Sequence, residues 1–213
     1  MTITTSTARN STLADLSQLL TDEHARKVDM VIPASQIRSV GGNLVVTGAD
    51  PIIEGDGVTD PNGAYSPTSV CDEHLASKLG IPLAYVRRMR ADRIDLFDAN
   101  VNGWLHGRRV GIGGALVGST PADIPADPRS FLLRTFRGGD GAPGVARALL
   151  SDSYRIVDNL DVLTAALDGI RSAGVPVSID GCDLTDRRMY VRVVAPEVQA
   201  LAPVLLDGYR SPF

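Results

Sequence analysis

A stripe of apolar residues at helical spacing, flanked by short β-like segments, most constrains the fold of this chain. Residues 158–173 carry four apolar side chains on one helical face: Leu160, Leu163, Leu167 and Ile170. Asp158 stands at the N-cap position and Gly174 just past the last turn, which favours a single amphipathic helix. Around it, four segments have the composition of strands: 131–136, 145–150, 175–180 and 188–194.

These elements predict an α+β fold, with a small, mainly antiparallel sheet packed on one long helix. We expect the helix over 158–173 to cover one face of a sheet that includes both 131–136 and 188–194. A flexible glycine-rich loop joins the strands at 131–136 and 145–150.

The first half of the chain mixes helix and strand patterns. Residues 12–26 predict a helix capped by Ser11 or Thr12, and its inner face is made of leucines: Leu13, Leu16, Leu19 and Leu20. Two short strands are predicted at 28–32 and 43–47, and the second follows a Gly-Gly turn. Residues 50–67 are rich in Gly, Pro, Asp and Asn, so we expect an exposed acidic loop.

Three helices are predicted within residues 66–106. Ser69 can cap the first and Gly80 can end it. Pro82 suits the first turn of the second helix, and the third covers 93–105. The third helix has an apolar face: Ile94, Phe97, Val101 and Trp104 or Leu105.

Changes in composition divide the chain into four segments: 1–65, with the N-terminal helix, short strands and acidic loop; 66–106, with three helices; 107–128, a loop; and 129–213, with the sheet and its helix. Since 213 residues suit a single core, we expect one compact domain overall.

The composition indicates a soluble cytoplasmic protein. Residues 1–10 lack the basic and apolar regions of a secretion signal. No apolar run approaches the roughly 20 residues that cross a bilayer. A net charge of −4 gives no global attraction to nucleic acid. Cys71 and Cys182 are far apart and in no CxxC motif, so we expect two buried, reduced thiols without a metal.

The stretch LSDSYRIVDNLDVL at 150–163 resembles a known signature. It is similar to the LSDxYRxxDNLDVL signature of an uncharacterised phage/plasmid-like protein family, found in actinobacterial phages and laterally transferred elements. Leu79-Gly80-Ile81-Pro82 followed by Tyr85 is similar to that family's LGIPxxY segment. Two further segments fit the region after the helix: Asp183-Leu184-Thr185 and Tyr190-Val191-Arg192.

The resemblance covers most of residues 66–213 and implies an origin in a mobile element. It implies no catalytic residues, because the family has none agreed. Family members continue into a further β-rich stretch with an Asn-Ser and a Cys-x-Asn-Gly segment. Since this chain ends at Phe213, we expect a short member or a sequence that stops before the family's C-terminal part.

The segment around Gly80 also matches the helix-turn-helix template, with small or apolar residues at the packing positions: Leu75, Ala76, Leu79, Ile81, Val86 and Met89. The second helix would then present Tyr85, Arg87, Arg88 and Arg90 to phosphates or guanine edges. Two short helices also pack in this way without touching DNA, and the acidic loop before them would repel phosphate.

A face of the predicted sheet is a second candidate for nucleic-acid binding. Strand alternation places Arg188, Tyr190 and Arg192 on one side, opposite Met189, Val191 and Val193. Three residues of the neighbouring strands could extend this face: Arg134, Phe136 and Arg147. Single-strand binders combine arginine with aromatic side chains. Arginines are also common on the solvent-exposed face of an antiparallel sheet that binds no nucleic acid.

Signals for catalysis are weak. Three histidines are dispersed without metal-ligand spacing: His24, His74 and His106. Asp152, Asp158 and Asp161 cluster as a two-metal nuclease would need, but Asp158 and Asp161 also suit a helix N-terminus. We expect no catalytic residue, no metal and no cofactor.

The sequence therefore favours a non-catalytic, nucleic-acid-binding accessory protein of a phage or mobile element, with DNA as partner and a homo-oligomeric state. Two alternatives stay open. One is an effector that binds a host protein through the acidic loop and the neighbouring helices. The other is a metal-dependent nuclease.

Overall fold

The structure, a computed structural model, describes residues 7–54, 57–107, 125–139 and 141–196. Its elements in chain order are β1 (Ala8–Ser11), α1 (Leu13–Arg26), β2 (Lys27–Pro33), a 3-10 turn (Ala34–Gln36), β3 (Ile37–Val40), β4 (Asn43–Val46), β5 (Ile52–Glu54), β6 (Gly57–Thr59), β7 (Gly63–Pro67), α2 (Ser69–Leu79), α3 (Leu83–Asp92), α4 (Ile94–His106), β8 (Ser130–Phe136), β9 (Gly144–Ser151), α5 (Asn159–Ala173), β10 (Ser178–Leu184) and β11 (Met189–Val194). This is an α+β fold, as predicted.

The chain forms two compact units. Of the described residues, the larger unit contains 26–155, and the smaller unit contains 7–25 together with 156–196. The predicted segment 129–213 is thus shared between the units. Most of the predicted loop 107–128 lies outside the described residues.

The larger unit is built on a six-stranded sheet with the spatial order β2-β8-β9-β7-β4-β3. Neighbouring strands are antiparallel except β7 and β9, which are parallel. Alternation along β2 turns Val28, Met30 and Ile32 toward the core. Helices α2 and α4 contact the sheet, and α3 packs on both of them.

Thr68 joins the sheet to the first of these helices. Its backbone N–H donates to the Ala146 carbonyl at 2.9 Å, and its hydroxyl donates to the Arg147 carbonyl at 3.1 Å. The same hydroxyl oxygen accepts from the Cys71 N–H at 3.2 Å and caps α2. The prediction that Ser69 caps this helix was wrong by one residue, because Thr68 alone has the extended backbone of an N-cap.

The turn-rich composition of the acidic segment 50–67 predicted a loop, but the structure forms strands in part of it. It contains the antiparallel hairpin β5–β6 and the strand β7, which pairs with β4 and β9. Asn62 supports this turn region, since its side chain accepts from the Ala49 N–H and donates to the Ala49 carbonyl, both at 2.9 Å. Backbone pairing of this kind depends on distant strands, which local composition does not reveal.

The smaller unit has a three-stranded antiparallel sheet in the order β1-β10-β11, with helices α1 and α5. Thr12 caps α1, since its hydroxyl accepts from the Asp15 N–H at 3.1 Å. Asp158 occupies the predicted N-cap position of α5, although it makes no capping hydrogen bond, and Gly174 ends the helix in the left-handed conformation. Leucines of both helices form the core with the sheet: Leu16, Leu20, Leu163, Cys182 and Leu184.

Two predictions about strands were wrong. Strand β8 lies in the six-stranded sheet and β11 in the three-stranded sheet, so α5 does not cover a sheet containing both. The predicted strand 175–180 begins three residues later, as β10, and extends further. Its position follows from its partners, because β10 pairs with β1 on one side and β11 on the other.

Both cysteines are buried free thiols, as predicted. Burial also raises the pKa of the Cys71 thiol, so this thiol stays protonated and unreactive. Within the described ranges, none of the helices is both long and apolar enough to span a bilayer.

Candidate nucleic-acid interface

Helices α2 and α3 follow each other on either side of Gly80. Gly80 adopts a left-handed conformation, with φ 67°, and lets the chain turn between them. The N–H of Ile81 donates to the Ala76 carbonyl at 2.9 Å. The predicted packing positions are all buried: Leu75, Ala76, Leu79, Ile81, Val86 and Met89.

Because Val86 and Met89 point inward, the opposite face of α3 is exposed. Tyr85 and Arg87 are about half-exposed, and the Arg88 side chain is 82% exposed. The Arg88 Nε lies 3.8 Å from an Asp92 carboxylate oxygen one helical turn away. An exposed pair at this distance is weak, so Arg88 remains accessible.

The other two arginines of α3 are engaged by α2. The Arg87 Nη2 donates to the Glu73 carboxylate at 2.7 Å. The Arg90 Nη1 donates to both carboxylate oxygens of Asp72, at 2.8 and 2.7 Å, and this pair is largely buried. Burial raises the pKa of Asp72, and the guanidinium of Arg90 acts against that rise. Arg90 thus ties two helices together.

Residues of β11 form the second predicted surface, in the smaller unit. Met189 and Val191 pack on the core, whereas Tyr190 and Arg192 are exposed on the opposite face. Arg188, directly before the strand, is held by a turn: its N–H donates to the Thr185 hydroxyl at 3.0 Å. The predicted alternation is therefore correct for these positions, whereas Val193, predicted on the core side, is 41% exposed.

Arg188 and Tyr190 form an exposed pair. The Arg188 Nη1 donates to the Tyr190 hydroxyl at 3.1 Å, and Tyr190 is 47% exposed. This hydrogen bond raises the pKa of Arg188, which therefore stays charged. A fixed guanidinium beside an accessible ring can bind a phosphate and stack a base at adjacent positions.

Arg192 lies on the same face but is held by three polar groups. Its Nη2 donates to the Asn10 side-chain oxygen at 2.6 Å, and its guanidinium lies 3.7 Å from the carboxylates of Asp180 and Asp183. The side chain runs across Gly181, where an added Cβ would lie 2.8 Å from Asn10 Oδ1. The carboxylates balance the charge of Arg192, so its guanidinium is less available to an anion than that of Arg188.

Asn10, Asp183 and Gly181 position this arginine, and sequence reasoning did not identify them. Asn10 donates its N–H to an Asp183 carboxylate oxygen at 2.6 Å, across 173 residues of chain. The pairing of β1 with β10 brings these residues together. No local sequence signal indicates that pairing.

The proposed extension of this face through the other strands was wrong. Arg134 lies in the larger unit, its side chain is only 12% exposed, and its Nε donates to Asp29 at 3.0 Å. Phe136 is buried, and the Arg147 guanidinium lies 5.9 Å from the centre of its ring. Asp29 and Arg134 face each other on paired strands, so their role is cross-strand pairing.

In the part of the chain that the structure describes, no group of three or more His, Cys, Asp and Glu side chains could hold a metal ion. Asp158 and Asp161 occupy the N-cap and first turn of α5, where carboxylates suit the positive end of the helix.

No protein-family model, no curated protein and no solved structure matches this chain. The geometry of the two surfaces thus carries the functional argument.

Proposed function

We propose that this protein is a nucleic-acid-binding accessory protein of a phage or mobile element, which acts in the cytoplasm by binding single strands. The binding surface is the exposed face of the three-stranded sheet, centred on Tyr190. The proposed mobile-element origin rests on the resemblance of 150–163 to the phage/plasmid-like signature.

The hydrogen-bonded pair of Arg188 and Tyr190 carries this proposal. The ring is exposed on a sheet, and the hydrogen bond orients the charged guanidinium beside it. Bases stack on such rings without sequence preference, at about 1–3 kcal/mol per base, while the guanidinium binds the backbone. The binding would therefore depend on stacking and salt more than on base sequence.

The helix α3 supports this function less well. Arg87 and Arg90 are committed to Glu73 and Asp72, so a phosphate would have to displace a carboxylate from each. Arg88 is the most accessible of the three, because its contact to the Asp92 carboxylate, at 3.8 Å, is weak. Arg88 and Tyr85 together would contact few phosphates, whereas proteins bind duplex DNA through many.

Fluorescence anisotropy with a labelled thymidine oligomer of about 16 nucleotides tests the proposal. We expect Tyr190→Ala to weaken binding by about 5- to 150-fold, which corresponds to the loss of one stacked base. Arg188→Ala should weaken binding and lower the salt slope by about 0.7, the value for one phosphate of a single strand.

Tyr154→Ala is the matched control, because Tyr154 is 50% exposed and lies outside the smaller unit. It should leave the affinity unchanged. A protein that retains no oligonucleotide at low salt, or a Tyr190→Ala variant that binds as tightly as the parent, would refute this function and favour the host-protein effector.

A further inference from the structure

The guanidinium of Arg192 forms part of the exposed face of the three-stranded sheet. Arg192 stands two residues after Tyr190 on β11, and its side chain crosses the central strand β10 at Gly181, its cross-strand partner. Because Gly181 has no side chain, the guanidinium lies close to the backbone of β10; a Cβ there would lie 3.4 Å from Arg192 Cζ. The Arg192 side chain is still 49% exposed, so a ligand on this face can reach it.

Three oxygen atoms surround the edge of this guanidinium. Its Nη2 donates to Asn10 Oδ1 at 2.6 Å, and its Nε and Nη1 lie 3.7 Å from carboxylate oxygens of Asp180 and Asp183. A guanidinium is planar and carries all its N–H donors in that plane. These partners therefore occupy its edge and leave its flat face for a ligand. Nucleobases are flat groups that stack on such a face.

The same partners make this position unsuited to a phosphate. Asp180 and Asp183 place two negative charges beside one positive charge, so an approaching phosphate is repelled. A base carries no net charge, and its π-electrons are attracted to the face of a cation. Arg188 differs in this respect, because its Nη1 donates to the neutral Tyr190 hydroxyl.

We propose that Arg192 stacks a second base of the single strand, next to the base that stacks on Tyr190. This inference rests on the proposed function and gives Arg192 a role other than phosphate binding. Two residues along a strand separate the two stacking positions by about 6.6 Å, which is roughly twice the rise of about 3.4 Å between the stacked bases of a duplex. The two bases are therefore unstacked from each other, which a single strand permits and a duplex does not.

Arg192→Lys tests the stacking role, because it keeps the positive charge and removes the flat guanidinium. In the anisotropy assay with the labelled thymidine oligomer, we expect this variant to bind about 2- to 5-fold more weakly than the parent. Its salt slope should equal that of the parent, since no phosphate contact is lost, whereas Arg188→Ala lowers the slope by about 0.7. If Arg192 bound a phosphate instead, lysine would replace it and the affinity would stay the same.

Gly181→Ala tests the same position while leaving every charged group in place. The added Cβ would displace the guanidinium from β10, and the flexible ends of Arg192 and Asn10 can move aside without disturbing the fold. We expect binding to weaken by about 2- to 5-fold at an unchanged salt slope. Gly169→Ala, on α5 of the same unit, is the matched control, because nothing lies within 4 Å of a Cβ there. It should bind like the parent.

The outcomes separate this inference from the proposed function. A parent protein that retains no oligonucleotide, or a Tyr190→Ala variant that binds like the parent, overturns both. If Tyr190→Ala weakens binding but either Arg192→Lys or Gly181→Ala binds as tightly as the parent, the stacking role of Arg192 is overturned and the proposed function stands. Circular dichroism of each variant checks that the fold is kept.

Discussion

Asn102 on α4 pairs with both backbone groups of Ser39 on the edge strand β3. Its Oδ1 accepts from the Ser39 N–H at 2.7 Å, and its Nδ2 donates to the Ser39 carbonyl at 2.8 Å. β3 is the last strand in the order of the sheet, so the side-chain amide takes the place of a further strand. Asp98, one turn earlier, accepts from the N–H groups of Gly41 and Gly42 at 2.6 and 3.0 Å. Together they hold the β3–β4 hairpin on α4.

Asn102→Ala should lower the free energy of unfolding by about 1–3 kcal/mol, because it leaves two buried backbone groups of Ser39 unsatisfied. Urea unfolding measures this loss. Asn100→Ala is the control on the same helix, since the Asn100 amide donates to the Leu96 carbonyl of its own helix at 2.7 Å and otherwise to the weakly accepting Met89 sulfur at 3.4 Å. It should cost about 0.5 kcal/mol. Equal losses in both variants would contradict the role given to Asn102.

Arg90→Ala and Arg88→Ala should differ sharply in stability. Arg90→Ala leaves the Asp72 carboxylate buried without its cation, which should cost about 3–5 kcal/mol. Arg88→Ala removes an exposed side chain and should change stability by less than about 0.5 kcal/mol. Thermal and urea unfolding of both variants check this, and a stable Arg90→Ala protein would show that the ion pair is dispensable.

Gly144→Ala should destabilise the larger unit by about 1–3 kcal/mol. A Cβ at this position would lie 2.5 Å from the Phe136 carbonyl oxygen and 2.6 Å from the Tyr65 ring, and the backbone cannot move aside cheaply. Gly139→Ala, in the loop that precedes β9, is the matched control, because nothing lies within 4 Å of a Cβ there. Equal decreases in the melting temperatures of the two variants would show that the close approach at Gly144 does not cause the destabilisation.

The ion pair of Asp127 with Arg129 should make stability depend on pH below neutrality. Hydrogen bonds from Arg129 lower the pKa of Asp127 below its usual value. The stabilisation is therefore complete above the unfolded pKa and is lost as the pH falls through the lower folded pKa. The difference in unfolding free energy between the parent and Asp127→Asn should be largest above about pH 5 and shrink toward about pH 2. A difference that is constant with pH would contradict this.

The sequence alone determined most of the local structure. Leucines at helical spacing located α1 and α5, and Gly80 and Gly174 marked the ends of α2 and α5. The helical spacing of the apolar residues of α3 also predicted which of its positions are buried and which are exposed, including the exposure of Tyr85 and Arg88. These features depend on residues within a few positions of each other, and their spacing is visible in the chain itself.

Only the tertiary structure decided which strands share a sheet and which arginines are accessible. β2 pairs with β8 across more than a hundred residues, and β11 joins a different sheet with β1 and β10. The same contacts buried Arg134 against Asp29 and placed Asn10 beside Arg192. The period-2 pattern of a strand predicts that its side chains alternate between two faces of a sheet. It does not predict which strand completes the hydrogen bonds, because partners are selected by packing between distant segments.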